Sequence, residues 1–271
     1  MPNEQNRTEP KNRTEPKNIK LVQLTDISTE SQLKVRDIRN EEAVRKWMYT
    51  DHAIELNEHL GWINRLKTDK KQIVFVILDE KDEPLGVVSV NAIDQLHKKT
   101  DWAYYLTENA RGGLGSAIEY AFIDFVFNNL DMQKLNCEVI EGNDPVVKLH
   151  KKFLFKDEGF RRSNIVKGEK RIGVRFLGLT KEDWIAGKNN VFEKYQKVLN
   201  RFHISINWNE TEKEKHPLDE IESARARNNL NWMNVLRLVL ELSPEHGKEL
   251  VTDIRNIDKE ISELTDKLIA S

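Results

Sequence analysis

The fold is decided by three pieces of one stretch: Asp101-Trp-Ala-Tyr-Tyr-Leu106, Arg111-Gly-Gly-Leu-Gly-Ser116 and Ala117-Ile-Glu-Tyr-Ala-Phe-Ile-Asp-Phe-Val-Phe127. The first piece reads as a β-strand and the last has helical apolar spacing. Glycines between them have no Cβ, so the backbone can approach a ligand closely, and the free N–H groups opening the helix face an anion. A pyrophosphate is the natural fit, and a tight turn that binds nothing is the alternative. The cluster lacks the Lys-Ser/Thr of a P-loop and does not spell G-x-G-x-x-G.

The spacing of apolar residues changes repeatedly on both sides of this stretch, as it does in a mixed α/β domain. Before it, the pattern predicts strands and helices in alternation: a strand at 19–24, helices at 33–47 and 56–66, and strands at 73–79 and 85–91. After it, the pattern predicts a strand at 135–140, a helix at 145–155 and a hairpin of strands at 160–166 and 172–179. We therefore expect an α/β (α+β) fold built on one central sheet.

Composition shifts divide the chain into four segments: a repeat tail 1–17, a domain 18–184, a connecting segment and linker 185–217, and a helical hairpin 218–271. The tail repeats Asn-Arg-Thr-Glu-Pro-Lys twice with no apolar residue, so we expect it to be flexible. The last helix carries a coiled-coil seam at Leu250, Ile254, Ile257, Ile261, Leu264 and Leu268. A hairpin of this size has little core, so we expect it to associate with another copy or with a pathway enzyme.

Charge and composition exclude several classes of protein. Over 271 residues, 43 Lys and Arg against 45 Asp and Glu give a net charge of −2, so we expect no nucleic-acid partner. The single cysteine, Cys137, excludes an intrachain disulfide and a multi-cysteine metal site, and we expect it in the core. The longest apolar run, 73–78, falls far short of the ~20 residues of a membrane span. We expect no membrane segment and, without a signal-peptide core, a cytoplasmic protein.

Over about residues 18–184 this order of elements resembles the GNAT superfamily of acetyl-CoA-dependent N-acyltransferases. The pyrophosphate loop of that family, Gln/Arg-x-x-Gly-x-Gly/Ala, is matched by Ala110-Arg-Gly-Gly113-Leu-Gly115, with Ala110 departing from the pattern. The resemblance implies a GNAT fold, with a mixed, mostly antiparallel sheet flanked by helices. It also implies acetyl-CoA as co-substrate and no metal. The implied acetyl-CoA contacts are Leu106, Arg111, Gly112, Gly113, Gly115, Ser116 and Asn143.

A second motif, Asn143-Asp-Pro-Val-Val-Lys-Leu-His150-Lys-Lys-Phe-Leu-Phe155, is similar to the family's Asn-x-x-Ala-x-x-Leu-Tyr-x-Lys-x-Gly-Phe. In that pattern the Asn contacts the pantetheine arm and the Tyr protonates the departing thiolate. His150 stands at the Tyr position, where a protonated imidazole can donate a proton near neutral pH. A role in hydrogen bonding alone is the alternative. Leu154 replaces the glycine, which predicts an altered turn.

A third match concerns the acceptor. Arg39-Asn-Glu-Glu-Ala-Val-Arg-Lys-Trp-Met48-Tyr49 and Glu58-His59-Leu-Gly-Trp62 resemble the acetyltransferases of pseudaminic acid biosynthesis, which act on UDP-4-amino-4,6-dideoxy-N-acetyl-β-L-altrosamine for flagellin glycans. The resemblance implies a UDP-amino-sugar substrate. Arg39 and His59 suit phosphate, while Met48, Tyr49 and Trp62 suit flat uracil and sugar faces. The alternative for the aromatic residues is a place in the core.

The reaction needs a neutral amine and a polarised thioester carbonyl, the latter usually through a backbone N–H near Leu106. Ser89 could hold a water that takes the amine proton, and Glu138 could receive that proton. Tyr104 borders the same groove, and no covalent enzyme intermediate is expected. Three other functions stay open: acetylation of a protein N-terminus, acetylation of a polyamine, and a non-catalytic acetyl-CoA-binding scaffold. A polyamine site would favour an acidic pocket.

Overall fold

The computed structural model describes residues 15–110, 112–208, 239, 242–249, 251–253 and 255–256. The chain divides into two compact units, 1–208 and 209–271. In the second unit, residues 244–249 and 251–253 are helical. The predicted seam residues of the C-terminal hairpin lie outside the described residues, as do residues 1–14 of the predicted tail.

The first unit alternates strands and helices along the chain. Its first half contains β1 (Lys17–Gln23), α1 (Thr29–Asn40), α2 (Glu42–Arg45), α3 (Leu56–Leu66), β2 (Ile73–Leu78), β3 (Pro84–Asp94) and β4 (Lys99–Leu106). Its second half contains α4 (Leu114–Asn128), β5 (Lys134–Ile140), α5 (Asp144–Lys152), β6 (Lys156–Lys167), β7 (Lys170–Thr180), α6 (Lys181–Leu199) and β8 (Phe202–Asn207).

The described strands form one sheet in the order β6-β7-β5-β4-β3-β2-β1-β8. Its neighbours are antiparallel except for two parallel pairs, β4 with β5 and β1 with β8. The β4–β5 pairing covers only Lys99↔Lys134, Thr100↔Leu135 and Asp101↔Asn136, although β4 runs on to Leu106 and β5 to Ile140. The two strands therefore part after Asp101 and Asn136, which opens a gap in the middle of the sheet.

Two apolar cores cover the two faces of the sheet. The larger core includes Phe75, Trp102, Phe122 and Leu135, and it brings α4 onto one face. The smaller core, on the other face, includes Val35 of α1 and Ile63 of α3 packed on strand residues. Strand residues alternate between the cores because side chains alternate across a sheet: Val74, Val76 and Val87 join the smaller one, and Phe75, Ile77 and Val88 the larger one. Cys137 is buried in the larger core, as expected.

The unit continues beyond Trp184, where the sequence predicted the end of the domain. Helix α6 runs on to Leu199, and β8 pairs with β1 from Lys17↔Phe202 to Val22↔Asn207. The strand expected at 19–24 begins at Lys17. Strand β8 forms hydrogen bonds with the edge of this strand that β2 leaves free. The predicted boundary at residue 184 was therefore wrong, and the compact unit ends at Trp208.

One local prediction also needs correction. The helix expected over 33–47 is two helices, α1 and α2, because Glu41 between them has φ −54° and ψ 135°. Leu154, where the sequence predicts an altered turn, has a φ of +72°, a left-handed conformation that glycine adopts more readily. The Leu154 side chain lies against Gly187 of α6, which leaves room for it by having no Cβ.

The start of α4 depends on a glycine that no other residue can replace without strain. Gly113 is the N-cap with φ +101°, and a Cβ there would lie 2.6 Å from Val198 Cγ1 of α6. We predict that Gly113→Ala lowers Tm by about 5–10 °C, through backbone strain and this steric clash. Thermal unfolding followed by circular dichroism measures the change.

Gly142→Ala is the matched control, because Gly142 has φ +90° but nothing within 4 Å of its would-be Cβ. Strain alone predicts a smaller Tm decrease there, of about 2–5 °C. Equal shifts for the two variants would show that the Val198 contact does not determine the geometry of this loop.

Candidate active site

A cavity of about 460 Å³ occupies the gap between β4 and β5. Its walls come from both strands, from the start of α4 and from α5. Many of the predicted site residues line it: Met48, Tyr104, Leu106, Gly115, Glu138, Asn143 and His150. Because β4 has no β5 partner here, alternate N–H and C=O groups of its backbone face the cavity instead of another strand. Such groups can bind an extended ligand arm or polarise a carbonyl group.

The start of α4 forms one end of this cavity. Gly112 and Gly113 have φ values of +100° and +101°, and no side chain caps the helix. The first-turn N–H groups have no partner within the helix and lie at its positive end, so they can bind an anion. Ser116 lies in that first turn, and Arg111 lies outside the described residues.

Sequence reasoning missed a second cation beside this loop. The Arg201 guanidinium lies 3.9 Å from the position that a Cβ on either Gly112 or Gly113 would occupy. Arg201 follows α6 directly, in a segment that the sequence assigned to a linker. No sequence signal could have placed it here, because its position depends on α6 crossing back over the first turn of α4.

His150 of α5 forms a buried ion pair with Glu119 of α4. Nδ1 of His150 lies 2.8 Å from Oε1 of Glu119, and the side chains are 5% and 0% exposed. Burial by itself lowers the pKa of His150, but the Glu119 carboxylate, with a smaller contribution from Cys137, raises it to about 10. The ring is therefore an imidazolium at neutral pH. The sequence did contain a signal for Glu119, since it is a lone carboxylate among the apolar residues of Leu114–Phe122.

Aromatic rings enclose the imidazolium. The ring centroids of Trp102, Phe155 and Tyr104 lie 5.4, 5.3 and 6.3 Å from that of His150. Burial raises the pKa of Tyr104 well above its usual value, and it also raises the pKa of the Cys137 thiol. Both groups are therefore neutral at pH 7, and His150 is the cation among the described residues that line this cavity.

A second cavity, of about 290 Å³, lies on the face of the sheet that carries α1 and α3. The lining residues of this cavity include the predicted Arg39, His59, Trp62 and Ser89, together with Tyr105. Tyr105 also lines the first cavity, so the two cavities adjoin at this strand. Burial raises the pKa of the Tyr105 phenol, which keeps it neutral.

Arg39 and His59 play different parts in the second cavity. Nη2 of Arg39 donates to Thr50, with 2.9 Å to Oγ1 and 3.2 Å to the carbonyl oxygen. Its Nη1 is shielded from solvent and has no hydrogen-bond partner within the described part of the chain. His59 Nε2 instead lies 2.8 Å from the Gln32 carbonyl oxygen, and burial lowers the pKa of its ring. His59 thus links α3 to α1 as a neutral residue, a poor match for the phosphate role expected of it.

Ser89 lies at the end of a chain of hydrogen bonds in the same cavity. Trp62 Nε1 donates to Gln72 Oε1 at 3.2 Å, and Gln72 Nε2 donates to Asn91 Oδ1 at 2.5 Å. Asn91 Nδ2 donates to Ser89 Oγ at 3.1 Å, and the hydroxyl in turn donates to the Ala103 carbonyl at 3.4 Å. This chain fixes the orientation of the Ser89 hydroxyl and of the Trp62 ring.

The loop after α2 is held from two sides. Tyr49 Oη donates to the Glu138 carboxylate of β5. Lys167, at the tip of the β6–β7 hairpin, donates to the carbonyls of Lys46 and Met48 at 2.7 and 2.8 Å. These contacts place Met48 and Tyr49 beside Glu138 at the first cavity, whereas Trp62 and Ser89 lie in the second. The predicted acceptor residues are therefore split between the two cavities.

Comparison with known families decides the assignment. The family described as "Acetyltransferase (GNAT) domain" matches residues 22–156. The chain contains a GNAT acetyltransferase domain. The domain is 29% identical over 138 residues to the uncharacterized N-acetyltransferase p20 of Bacillus licheniformis, covering 50% of this chain and 77% of p20. It is 24% identical over 142 residues to acetyltransferase PseH of Campylobacter jejuni, covering 52% of this chain and 87% of PseH. The chain is thus an N-acetyltransferase.

Solved structures confirm the GNAT fold. Spermidine N-acetyltransferase from Vibrio cholerae, in complex with CoA and spermine, superposes with a TM-score of 0.57 at 15% identity. The match covers 62% of this chain and 98% of that one. A dodecameric structure of the Vibrio enzyme gives 0.53 at 16% identity, covering 62% and 96%. At these identities the likeness concerns the fold alone.

Among the described residues, no group of three or more His, Cys, Asp or Glu side chains could hold a metal ion. None of the helices in the described ranges has the length and apolar character that crossing a membrane requires.

The contacts of Lys167 predict that the β6–β7 hairpin orders the loop after α2. We expect Lys167→Met to speed hydrogen exchange of the Trp47 and Met48 amides about 10-fold, because the hydrogen bonds from Lys167 to this loop are lost. Exchange measured by mass spectrometry on peptides spanning residues 45–50 tests this. Lys170→Met, at the other side of the hairpin turn, is the control; equal exchange in the two variants would contradict the role of Lys167.

Proposed function

We propose that this GNAT domain transfers an acetyl group from acetyl-CoA to the 4-amino group of a UDP-linked amino-dideoxy sugar, in pseudaminic acid biosynthesis for flagellin or other surface glycans. The observation that carries the acceptor assignment is the buried Nη1 of Arg39, without a partner in the described chain, in a cavity walled by Trp62 and Tyr105. A guanidinium is suited to phosphate oxygens, and aromatic faces are suited to sugar and uracil. The resemblance over residues 39–62 supports the same substrate.

Acetyl-CoA fits the first cavity in this proposal. Its pyrophosphate would bind the first-turn N–H groups of α4 beside Gly112 and Gly113, with the Arg201 guanidinium nearby. Its pantetheine arm would run along the backbone of β4 in the gap, toward Asn143 and His150. The thioester then lies near Tyr105, where the two cavities adjoin.

The proposed reaction needs two proton movements by groups of this chain. The acceptor amine must be neutral, and the Glu138 carboxylate at the edge of the first cavity takes its proton, directly or through a water. The amine lone pair then forms the N–C bond at the acetyl carbonyl, the new amide nitrogen loses its second proton to water, and the C–S bond breaks with its electron pair passing to sulfur. The His150 imidazolium gives a proton to that thiolate. Ser89 is proposed to orient the water on the acceptor side.

The charges of the second cavity argue against a polyamine acceptor. Arg39 and Arg65 both line it, and its carboxylate, Glu58, is paired with His52 at 3.1 Å. A polycation would meet two guanidinium groups and one engaged carboxylate there. Phosphate groups meet complementary charge at the same place, which favours the sugar nucleotide.

Residues 218–271 are proposed to mediate association with another copy of the chain or with a pathway enzyme. This proposal rests on the regular aliphatic spacing from Leu250 to Leu268, which lies outside the described residues. A cytoplasmic location is part of the same proposal.

The acceptor assignment is tested by measuring the release of free CoA. Three acceptors are compared in parallel: a UDP-4-amino-dideoxy sugar, spermidine and an N-terminal peptide. We expect turnover with the UDP-sugar, and we expect Arg39→Met to raise its KM about 10-fold or more while acetyl-CoA affinity stays within about two-fold. Arg36→Met, a partly buried arginine of α1 that pairs with Asp37 and does not line the cavity, is the control. Better turnover of spermidine or peptide would overturn the assignment, and so would an unchanged KM in Arg39→Met.

His150→Phe tests the proposed proton donor. Removing a general acid typically costs about 10²- to 10⁴-fold, so we expect kcat to fall by that amount. Acetyl-CoA affinity by calorimetry should stay within a few-fold, because Phe keeps a flat ring among Trp102, Tyr104 and Phe155. A kcat within a few-fold of the parent would leave His150 a structural residue.

A further inference from the structure

We propose that Glu119 is a positioning residue for catalysis, which holds the His150 ring in place and keeps it cationic for proton donation. This inference rests on the proposed function, because it assigns Glu119 to the same proton transfer. Neither the sequence motifs nor the comparisons with known proteins assign a role to Glu119.

The geometry places Glu119 in direct contact with His150. Glu119 projects from α4 and His150 from α5, and their 2.8 Å contact joins the two helices beneath the acetyl-CoA cavity. Both side chains are almost fully buried, yet only His150 lines the cavity. Glu119 therefore acts on the cavity through His150 and does not touch a ligand itself.

The energetics of Glu119 make a purely structural role a poor explanation. Its Oε2 is buried and lacks a hydrogen-bond partner among the residues that the structure describes. Burial raises the pKa of Glu119, and the His150 cation opposes that rise. A buried carboxylate oxygen without a partner is costly, and an apolar side chain of similar volume would pack against α5 at lower cost. A glutamate at this position is understandable if its negative charge is needed at the imidazole.

Among the described groups around His150, Glu119 makes the largest contribution to keeping it charged. Cys137 faces it from β5 and Tyr104 from β4, and burial raises the pKa of both groups. Trp102 and Phe155 complete the surroundings with apolar rings. Burial alone would lower the pKa of His150, whereas the Glu119 carboxylate, with a smaller contribution from Cys137, brings it to about 10.

This arrangement also separates the two ring nitrogens by function. The proton on Nδ1 is held by Glu119 throughout, so the proton on Nε2 is the one that passes to the thiolate. After transfer, the ring is neutral and still bonded to Glu119, and CoA leaves as the thiol. A proton from solvent returns to Nε2 before the next cycle; this offsets one of the two protons that the amine nitrogen loses, and the other is released to solvent.

The first test needs no substrate. We expect NMR titration of the wild-type chain, with the His150 ring signals identified by their loss in His150→Phe, to give an ionisation near pH 10. In Glu119→Gln, which keeps the shape of the side chain, the ionisation should move below the ordinary histidine value of about 6.5. Asp124→Asn is the matched control, because Asp124 lies on the same helix but bonds Trp184 and Lys188 instead. A wild-type His150 ionisation near 6.5, or one unmoved by Glu119→Gln, overturns the proposal.

The second test uses the pH profile of kcat with whichever acceptor the panel identifies. A cationic His150 is required, so the basic limb of the wild-type profile should lie near pH 10 and move to lower pH in Glu119→Gln. At pH 7.5 an ionisation at or below about 6.5 leaves a tenth of the ring or less protonated, so kcat falls by about 10-fold or more. The acidic limb of the kcat profile reflects the ionisation of the acceptor amine, so its position should be the same in Glu119→Gln and the wild type. A loss of kcat with no shift of the basic limb would overturn the proposal in favour of a structural role.

A double-mutant cycle separates the effect of Glu119 on His150 from a general loss of stability in Glu119→Gln. His150→Tyr installs a donor that is neutral before transfer and needs no neighbouring carboxylate. If Glu119 acts through the charge of His150, Glu119→Gln costs far less in the His150→Tyr background than in the wild type. An equal cost in both backgrounds overturns the proposal. Failure of the acceptor panel would refute the proposed function while leaving the NMR result as an independent answer on Glu119.

Discussion

Strands β4 and β5 stay hydrogen-bonded over three residue pairs and then separate, and the active-site architecture follows from this parting. A sheet that remained paired to Leu106 and Ile140 would have no room for an extended ligand between them. Separation leaves the β4 backbone without a partner on one side, in a cavity of about 460 Å³. Those unpaired N–H and C=O groups face the cleft together with the polar side chains of Glu138, Asn143 and His150. Since buried backbone groups need partners, the cleft is suited to a ligand that provides them.

The parting also determines where the neighbouring helices begin. Helix α4 starts at the open end of β4 and α5 at the open end of β5, so their side chains meet across the same gap. Glu119 and His150 form their ion pair at this meeting point, while the glycines before α4 turn its free N–H groups toward the cavity. Tyr105 lines the cavities on both faces of the sheet, so donor and acceptor can approach each other through the gap.

The segment after β7 strengthens this site from outside the part of the chain that matches the family. Helix α6 packs Val198 against Gly113 and brings Arg201 to the glycine loop, and β8 then covers the edge of β1. Gly187 of the same helix receives Leu154, which occupies the left-handed position that the family's motif gives to glycine. The unusual leucine and the additional helix are therefore two parts of one packing arrangement. Lys167 has a similar supporting role on the acceptor side, through the carbonyls of Lys46 and Met48.

The sequence by itself determined the element order, the glycine turn before α4 and the motif that places Asn143 and His150 on α5. These features are local, because they depend on apolar period, on glycine at positive φ and on spacing within one helix. It did not determine that β8 would join the sheet, that His59 would bond the Gln32 carbonyl, or that Arg39 and Glu138 would line different cavities. It also left His150 with two possible roles. Only the tertiary structure decided its charge, because the carboxylate that raises its pKa comes from another helix and acts through a distance that no spacing in the sequence encodes.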